Sequence, residues 1–297
     1  MSGEVLERSV GAIHADGASL ARAAAAAGGV HLALLADRSV DEWHHAVEAA
    51  GPSSPSRSYL VGVDETVRGD AVATSPASGG RPIGGGVVVD TVEAPLPDPV
   101  EYLHTALTDL DDDLDAGGTV VVDDIGALVP EGADVNATVS ELVDVAASTG
   151  VQFHTTAAAH DRGVDADDRS DAVLSALSRR LPAAAGDAER AITERLIAHL
   201  RRSDPTNFGY LRQHWREARR GLTAVEMSYP QSKQIHASIP DPETTPRTLG
   251  AALQGLVTLG ALDVWGDTVA ANRYDLTRYD PARVDAIGSS LDALDDG

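Results

Sequence analysis

Cysteine is absent from the 297 residues of this sequence. Its absence excludes disulfide bonds, iron–sulfur clusters and thiolate zinc sites. No apolar run reaches the roughly 18 residues that a membrane-spanning helix needs, and the first segment carries acids where a signal peptide carries a basic stretch. These absences predict a cytoplasmic protein that has no membrane partner.

Lysine is nearly absent as well, since Lys233 is the only one and arginine supplies the other 22 basic side chains. The acids number 46, the formal net charge is −23, and aromatic residues make up only 4% of the chain. Acid-rich surfaces keep proteins hydrated and apart in concentrated salt, which screens charges over short distances. The composition is therefore typical of a protein from a halophile.

The charge is unevenly distributed along the chain. Residues 1–187 carry 10 arginines against 31 acids, whereas residues 188–280 carry 12 bases against 11 acids. Residues 281–297 return to an acidic balance, with one base and four acids. Within an acidic protein the middle segment is relatively basic, which predicts a surface for an anionic partner.

The first part of the chain alternates strand and helix patterns. Apolar runs typical of buried strands occupy 30–36, 58–63, 86–90, 119–123 and 151–157. Helical patterns occupy 4–27, 39–50, 98–114, 135–149 and 168–181. Val-rich strands that alternate with helices predict an α/β fold with a mostly parallel sheet, of a degenerate RecA-like or Rossmann-like kind. The Gly-, Ser- and Pro-rich stretch 66–85 predicts a long surface loop.

These patterns divide the chain into four parts. We predict an acidic α/β domain over 1–180 for sensing or dimerisation, a linker over 181–188, a winged helix-turn-helix over 189–280 and an acidic tail over 281–297. The third part begins with an amphipathic helix, whose apolar positions Ile192, Leu196 and Leu200 recur at helical spacing.

A second amphipathic helix is predicted over 206–220. Its apolar side combines Phe208, Leu211, Trp215 and Ala218. The helical period places four arginines together on an adjacent face: Arg212, Arg216, Arg219 and Arg220. Such a stripe predicts contacts with phosphate groups.

The stretch from Tyr229 to Leu276 has the order helix, turn, helix, hairpin. SKQIHASI predicts a short helix, PDPETT a turn, PRTLGAALQGLVTLGAL a longer helix, and the following residues a two-stranded hairpin around Gly266-Asp267. Thr245 is placed to cap the longer helix and Pro246 suits its first turn. Its apolar positions are Leu249, Leu253, Leu256 and Val257. This order predicts a winged helix-turn-helix, in which the second helix enters the major groove of DNA.

The segments NFGYLRQHWREARRGLTAVE, SKQIHASIPDPETTPRTLGAAL and NRYDLT resemble the C-terminal region of haloarchaeal winged-helix transcription regulators, in particular the TbsP-type family. The resemblance rests on the motifs of residues 188–280. It implies control of transcription in a halophilic archaeon, with sugar-metabolism genes among the targets.

On this basis we expect the DNA contacts to divide by position. Arg247 and Thr248 begin the recognition helix and would reach base edges, with Thr245 and Gln254 on the same helix. Lys233 and Gln234 open the preceding helix. Phosphate contacts are expected from Arg212, Arg216, Arg219, Arg220 and the hairpin residue Arg273. The expected partners are double-stranded DNA, a second copy of the chain and another transcription regulator.

Two other functions remain open at this stage. A winged helix can bind another protein as an adaptor without touching DNA, and the near-neutral charge of residues 188–280 is compatible with that. The strand TVVVDDIGALV ends in Asp123 and Asp124, as do the magnesium-binding strands of RecA-like NTPases. However, residues 1–187 contain no lysine, and the glycine cluster GGRPIGGG precedes a strand, so a phosphate-binding loop is missing. The same lack of lysine argues against a phospho-receiver domain.

Metal sites and catalytic signatures are also poorly supported. Neither His44-His45 nor the pair His154 and His160 has the ligand spacing of a zinc site. The acidic run Asp111, Asp112, Asp113 and Asp115 lacks the alternation and central glycine of a calcium loop. No GxSxG motif occurs. We therefore expect no enzyme activity, no cofactor and no metal.

Overall fold

A computed structural model gives the fold of the chain. It describes residues 11–27, 29–51, 55–64, 80–93, 96–110, 118–156, 164–184, 187–265 and 272–294. The chain divides into two units: the first comprises residues up to 176 together with 180–184, and the second comprises 177–179 and 185–297. Among the described residues, no helix has both the length and the apolar character needed to cross a membrane.

The first unit is an α/β domain built on a seven-stranded sheet. Its strands are β1 (Gly11–His14), β2 (Val30–Leu35), β3 (Arg57–Asp64), β4 (Arg81–Gly84), β5 (Val87–Glu93), β6 (Gly118–Val122) and β7 (Gln152–Thr156). Their order in the sheet is β1-β7-β6-β2-β3-β5-β4, and only the β4–β5 pair is antiparallel. The predicted mostly parallel sheet is confirmed.

Helices alternate with these strands. They are α1 (Gly17–Ala27), α2 (Val40–Ala50), α3 (Pro99–Asp109), α4 (Ile125–Leu128), α5 (Val135–Ser148) and α6 (Val164–Arg180). On one face of the sheet, Ala33, Leu35 and Val121 pack in a core cluster with residues of α1 and α2. The alternate positions Leu32 and Val122 are buried too, so both faces of the sheet are covered.

Two local predictions for this unit were wrong. The helix predicted over 4–27 begins only at Gly17, because Gly11–His14 forms strand β1 beside β7; residues 1–10 lie outside the described part. The loop predicted over 66–85 contains strand β4, which turns into β5 through Gly85 and Gly86. Both glycines have positive φ, 61° and 80°, as a two-residue hairpin turn requires. Residues 65–79 lie outside the described part.

The second unit is mainly helical. Its helices are α7 (Asp187–Ser203), α8 (Pro205–Ala224), α9 (Ser232–Ala237), α10 (Pro246–Thr258) and α11 (Pro281–Ala293), and its strands are β8 (Asp263–Trp265) and β9 (Arg273–Asp275). The predicted apolar faces of the first two helices are buried, including Leu196, Leu200, Leu211 and Trp215.

The predicted linker and tail differ from the structure. Residues 182–184 run beside β1, where Ala184 N donates to Ile13 O at 2.7 Å and Ile13 N donates to Pro182 O at 2.9 Å. Most of the predicted tail is helix α11, which Asp280 caps. Its residues Val284, Ile287 and Leu291 are buried at helical spacing, so burial of an apolar face outweighs the acidic composition.

Candidate nucleic-acid interface

Helix α10 begins with the signals that the sequence predicted. The Thr245 hydroxyl accepts a hydrogen bond from Thr248 N at 3.2 Å, and Pro246 follows in the first turn. All four predicted apolar positions of the helix are buried. The cap and the buried face together fix which side of α10 points outward.

Helices α8 and α9 approach each other closely at Gly221. A Cβ atom there would lie 2.7 Å from the Cγ2 of Ile235 and 2.9 Å from the Cδ1 of Ile239. Any larger residue at position 221 would require these isoleucine side chains or the helices themselves to shift. Glycine therefore allows α9, and the turn after it, to pack directly on α8.

Glu217 holds the turn between α9 and α10 in place. This α8 side chain is only 4% exposed. Its Oε1 accepts hydrogen bonds from Glu243 N at 3.0 Å, from Thr244 N at 3.2 Å and from the Thr244 hydroxyl at 3.1 Å. Sequence reasoning missed Glu217, because an acid inside a run of arginines gave no sign of a contact 26 residues further along.

A small sheet lies beside these helices. Strands β8 and β9 pair antiparallel, and the segment before α9 extends the sheet through a bridge between Gln231 and Arg273. Tyr274 N donates to Pro230 O at 2.9 Å, and its hydroxyl donates to Gly250 O in α10 at 3.4 Å. Burial raises the pKa of Tyr274 to about 12. The predicted turn at Gly266-Asp267 lies outside the described residues.

The predicted contacts on α10 occupy different environments. Arg247 is exposed in the first turn, whereas Thr248 is half-buried with its hydroxyl 3.0 Å from that of Thr245. Thr245 itself serves as the helix cap. Gln254 Oε1 accepts a hydrogen bond from Asn272 Nδ2 at 3.2 Å, which connects α10 to the start of β9.

Of the three predicted contacts on α9 and β9, one is exposed. Lys233 lies open at the start of α9. Gln234 Oε1 accepts a hydrogen bond from Gln231 N at 2.8 Å, so this side chain is used to cap its own helix. Arg273 is half-buried and donates from Nη1 to Tyr229 O at 3.1 Å. The last two side chains therefore hold the scaffold together.

The arginine stripe of α8 is partly neutralised by α11. Arg219 forms a two-pronged pair with Asp285, with both N–O distances at 2.9 Å. Arg216 pairs with Asp292 and lies over the Trp215 ring, 4.5 Å from its centroid. Arg212 and Arg220 are exposed. The sequence predicted that all four arginines contact phosphates, but α11 holds two of them in ion pairs.

In the first unit, Asp123 lies where parallel α/β sheets usually bind ligands. It follows β6, and the chain leaves β2 and β6 in opposite directions, which makes a topological switch point. The Asp123 carboxylate accepts hydrogen bonds from the backbone N–H groups of Ala36, Asp37 and Arg38, at 2.6 to 3.2 Å. Burial outweighs these bonds and raises the pKa of Asp123 to about 6. The amides that would face a phosphate therefore bind an internal carboxylate.

Three histidines lie on the same sheet. His14 Nε2 and His154 Nδ1 are 3.0 Å apart on neighbouring strands. His31 is 2% exposed beside the Trp43 ring. Burial lowers the pKa of His31 and of His154 to about 4, with a smaller contribution from the neighbouring histidine. These rings are neutral parts of the interior at neutral pH.

The other candidate ligands are dispersed. His44 Nε2 is 3.5 Å from Glu48 Oε1, and His45 contacts the Asp41 carbonyl on its own helix. Within the described ranges, no three His, Asp or Glu side chains come together as a metal site would require. His160 and the run Asp111–Asp115 lie outside those ranges.

Compared with known proteins, the chain matches no family model, no curated protein and no solved structure.

Proposed function

We propose that the chain is a DNA-binding transcription regulator of a halophilic archaeon, and that residues 189–280 form its winged helix-turn-helix. The TbsP-type family is the group that its motifs resemble, with sugar-metabolism genes as the proposed targets. DNA would be the partner, and the protein would act in the cytoplasm without a catalytic, cofactor or metal site.

One observation carries this proposal: the order and pairing of the elements in the second unit. Helix α8 is followed by a strand-like segment, then α9, a turn, α10 and the two strands β8 and β9. The strand-like segment before α9 pairs with β9 through the Gln231–Arg273 bridge, and a third strand next to the hairpin is what a winged helix would have. In such folds the helix at the position of α10 inserts its first turn into the major groove.

The exposed residues at the starts of α9 and α10 are suited to DNA binding. Arg247 lies in the first turn of α10, and Lys233 opens α9. Arginine can donate two hydrogen bonds to a guanine edge, whereas contacts to phosphate carry no sequence information. We assign base reading to Arg247 and phosphate binding to Lys233, Arg212 and Arg220. Arg216 and Arg219 join them when DNA competes with the α11 carboxylates.

The test is a DNA titration with the full chain in potassium-rich buffer. The cognate duplex is first found by genome-wide immunoprecipitation of the tagged protein, with and without sugar. Arg247→Ala should weaken cognate binding by roughly 1–3 kcal/mol and binding to a scrambled duplex much less. The control is Arg81→Ala, which removes an exposed arginine of the first unit. It should change neither affinity.

Two results would overturn the proposal. A wild-type chain that binds no duplex selected from its own genome would remove DNA as the partner. Equal losses on cognate and scrambled DNA for Arg247→Ala would mean that α10 is not the helix that reads bases.

A second function is favoured by exposed apolar side chains in the second unit. Trp265 is 50% exposed and Met227 43% exposed, and Trp265 lies against the Tyr229 ring with centroids 5.0 Å apart. Exposed aromatic residues are frequent in protein interfaces. We propose an adaptor that binds another transcription regulator as the alternative if the DNA titration fails.

A recognition helix of this kind reads only a few base pairs. Two copies on half-sites one helical turn apart are the usual way to gain specificity. We therefore propose that the regulator binds DNA as a homodimer.

A further inference from the structure

The outer face of α7 carries two opposite charges with a small residue between them. Glu194, Ala198 and Arg201 are all exposed and are spaced four and three residues apart. Seven residues of helix span roughly 10.5 Å and return to nearly the same side. The two charges therefore lie on one stripe of the helix, on either side of Ala198.

The two charges have no partner in the part of the second unit that the structure describes: neither Glu194 nor Arg201 forms a hydrogen bond or an ion pair there. The situation on α8 is different, because Arg216 and Arg219 are held by carboxylates of α11. The stripe on α7 is thus a charge pattern without partners among the described residues of the second unit.

An apolar cavity opens beside this stripe. Its volume is 360 Å³, and its apolar lining consists of Ile197 and Ala198 from α7 and Leu294 from the end of α11. Leu294 is 46% exposed. Glu194, Arg201 and Arg202 lie around the same cavity. Apolar surface framed by charge is the pattern expected of an interface that another molecule covers.

We propose that this face is the interface between two copies of the chain, with α7 packed antiparallel on α7 of the partner. In that arrangement Glu194 pairs with Arg201 of the partner subunit, and Arg201 pairs with the partner's Glu194. The two-fold axis passes near Ala198, so the interface is made of the same residues on both sides.

Charge complementarity selects a second copy over other occupants. Glu194 of one copy lies opposite Arg201 of the other only if the two helices run in opposite directions. A second copy packed antiparallel therefore places opposite charges together. Ala198 at the centre lets the helix axes approach to about 8–10 Å. Because Ala198 also lines the cavity, the cavities of both copies lie next to the axis and their apolar walls are covered together.

The inference deepens the proposed homodimer by naming its surface, and it rests on that part of the proposed function. Its test measures molecular mass and not DNA binding. A dimer that fails to bind DNA would contradict only the proposed regulator, whereas a DNA-binding monomer would contradict only the interface.

The experiment reverses single charges in the full chain and measures the molecular mass by light scattering. Because salt screens ion pairs, the buffer contains the lowest potassium chloride concentration at which circular dichroism shows the native fold. The wild type should have twice the mass of the 30.8 kDa chain. Glu194→Arg and Arg201→Glu should each be monomers, because each places like charges together twice. Arg278→Glu, a reversal at an exposed site of the same unit, should stay dimeric.

The decisive sample is an equimolar mixture of the two variants. In a mixed dimer both pairs are again opposite in charge, so the mass should return to that of the dimer. Dimers in both single variants would overturn the proposal, as would a mixture of folded variants that stays monomeric. A wild-type monomer whose melting temperature rises with decanoate would also overturn it and assign the cavity to an amphiphilic anion.

Discussion

In each unit of the molecule, a buried carboxylate accepts backbone hydrogen bonds from a turn on another element. Asp123 binds the turn after β2, and Glu217 binds the turn before α10. In the first unit this contact occupies the edge of the sheet where a ligand would approach. In the second unit it lies behind the turn and leaves the first turn of α10, with Arg247, exposed.

The same kind of contact has opposite consequences in the two units: one blocks a possible binding edge, and the other supports an exposed surface. At the switch point of a parallel sheet, backbone amides are available to a bound phosphate only if no side chain uses them. Asp123 uses them, so this edge of the parallel sheet is closed to a phosphate. Glu217 fixes a turn so that neighbouring polar residues stay available to a partner.

The largest effect is expected from Asp123→Ala. The backbone N–H groups of Ala36, Asp37 and Arg38 would lose their acceptor next to a buried strand end. Unpaired buried donors cost about 1–3 kcal/mol each, so the free energy of unfolding should fall by roughly 3 kcal/mol or more. Urea unfolding of the full chain, followed by circular dichroism, measures the change.

Asp124→Ala is the matched control for that variant. Asp124 accepts a hydrogen bond from Gly126 N at 2.9 Å and caps the short helix α4, so its loss should reduce stability by only about 1 kcal/mol. Equal effects of the two variants would show that the turn after β2 does not depend on Asp123. ATP turnover that disappears in Asp123→Ala would contradict the closed edge.

The next effect is a loss of stability in acid caused by His31. Its pKa is about 4 in the folded protein and about 6.5 in an unfolded chain, because burial disfavours the charged ring. The unfolded state therefore binds the proton more tightly. The stabilisation is complete above pH 6.5 and is lost as the pH falls, by about 3 kcal/mol at pH 4.

The pH effect is measured as the difference between the wild type and His31→Leu. Burial raises the pKa of Asp123 to about 6, so acidification acts on that group in the opposite direction. Subtracting the two unfolding curves at each pH removes this contribution. A difference that stays constant between pH 7 and pH 4 would contradict a neutral, buried His31.

Sequence patterns predicted the features that depend on residues close together in the chain, namely strands, helix starts and buried helix faces. Val-rich runs gave the parallel strands, and Thr245 with the spacing of Leu249 and Leu253 gave the start and buried face of α10. The acidic composition of 281–297 concealed helix α11, although Val284, Ile287 and Leu291 follow the helical period. The spacing of these three apolar residues is itself typical of a helix.

Contacts between distant residues could not be predicted in this way. Asp123 lies 85 residues from Arg38 in sequence, and Arg219 lies 66 residues from Asp285. A single sequence shows that these side chains are charged, but their partners depend on how strands and helices pack. The sequence therefore predicted that Arg216 and Arg219 lie on a helix, but it did not predict their ion pairs with Asp292 and Asp285.

Glu217→Ala should have a smaller effect than the changes in the first unit. The turn at Glu243 and Thr244 is partly open, so water can replace some of the lost hydrogen bonds, and stability should fall by about 2 kcal/mol. Binding to the cognate duplex should weaken as well, because α10 would no longer start from a fixed turn. Glu217→Gln keeps one acceptor oxygen and should therefore retain most of the stability and most of the affinity for the cognate duplex. A variant that loses stability without any change in DNA affinity would reduce Glu217 to a packing role.

The smallest effect is expected from Asp285→Asn, which separates the roles of the α8 arginines. Arg219 and Asp285 are 31% and 50% exposed in their side chains, and such pairs contribute about 0–1 kcal/mol, so stability should hardly change. Removing the negative charge leaves Arg219 available to a phosphate, and affinity should rise by the same factor, about two- to fivefold, for cognate and scrambled duplexes. Glu101→Gln removes an exposed acid of the first unit and should leave both affinities unchanged. An increase on the cognate duplex alone would place Arg219 at a base edge, and no increase on either duplex would remove the α8 stripe from the DNA interface.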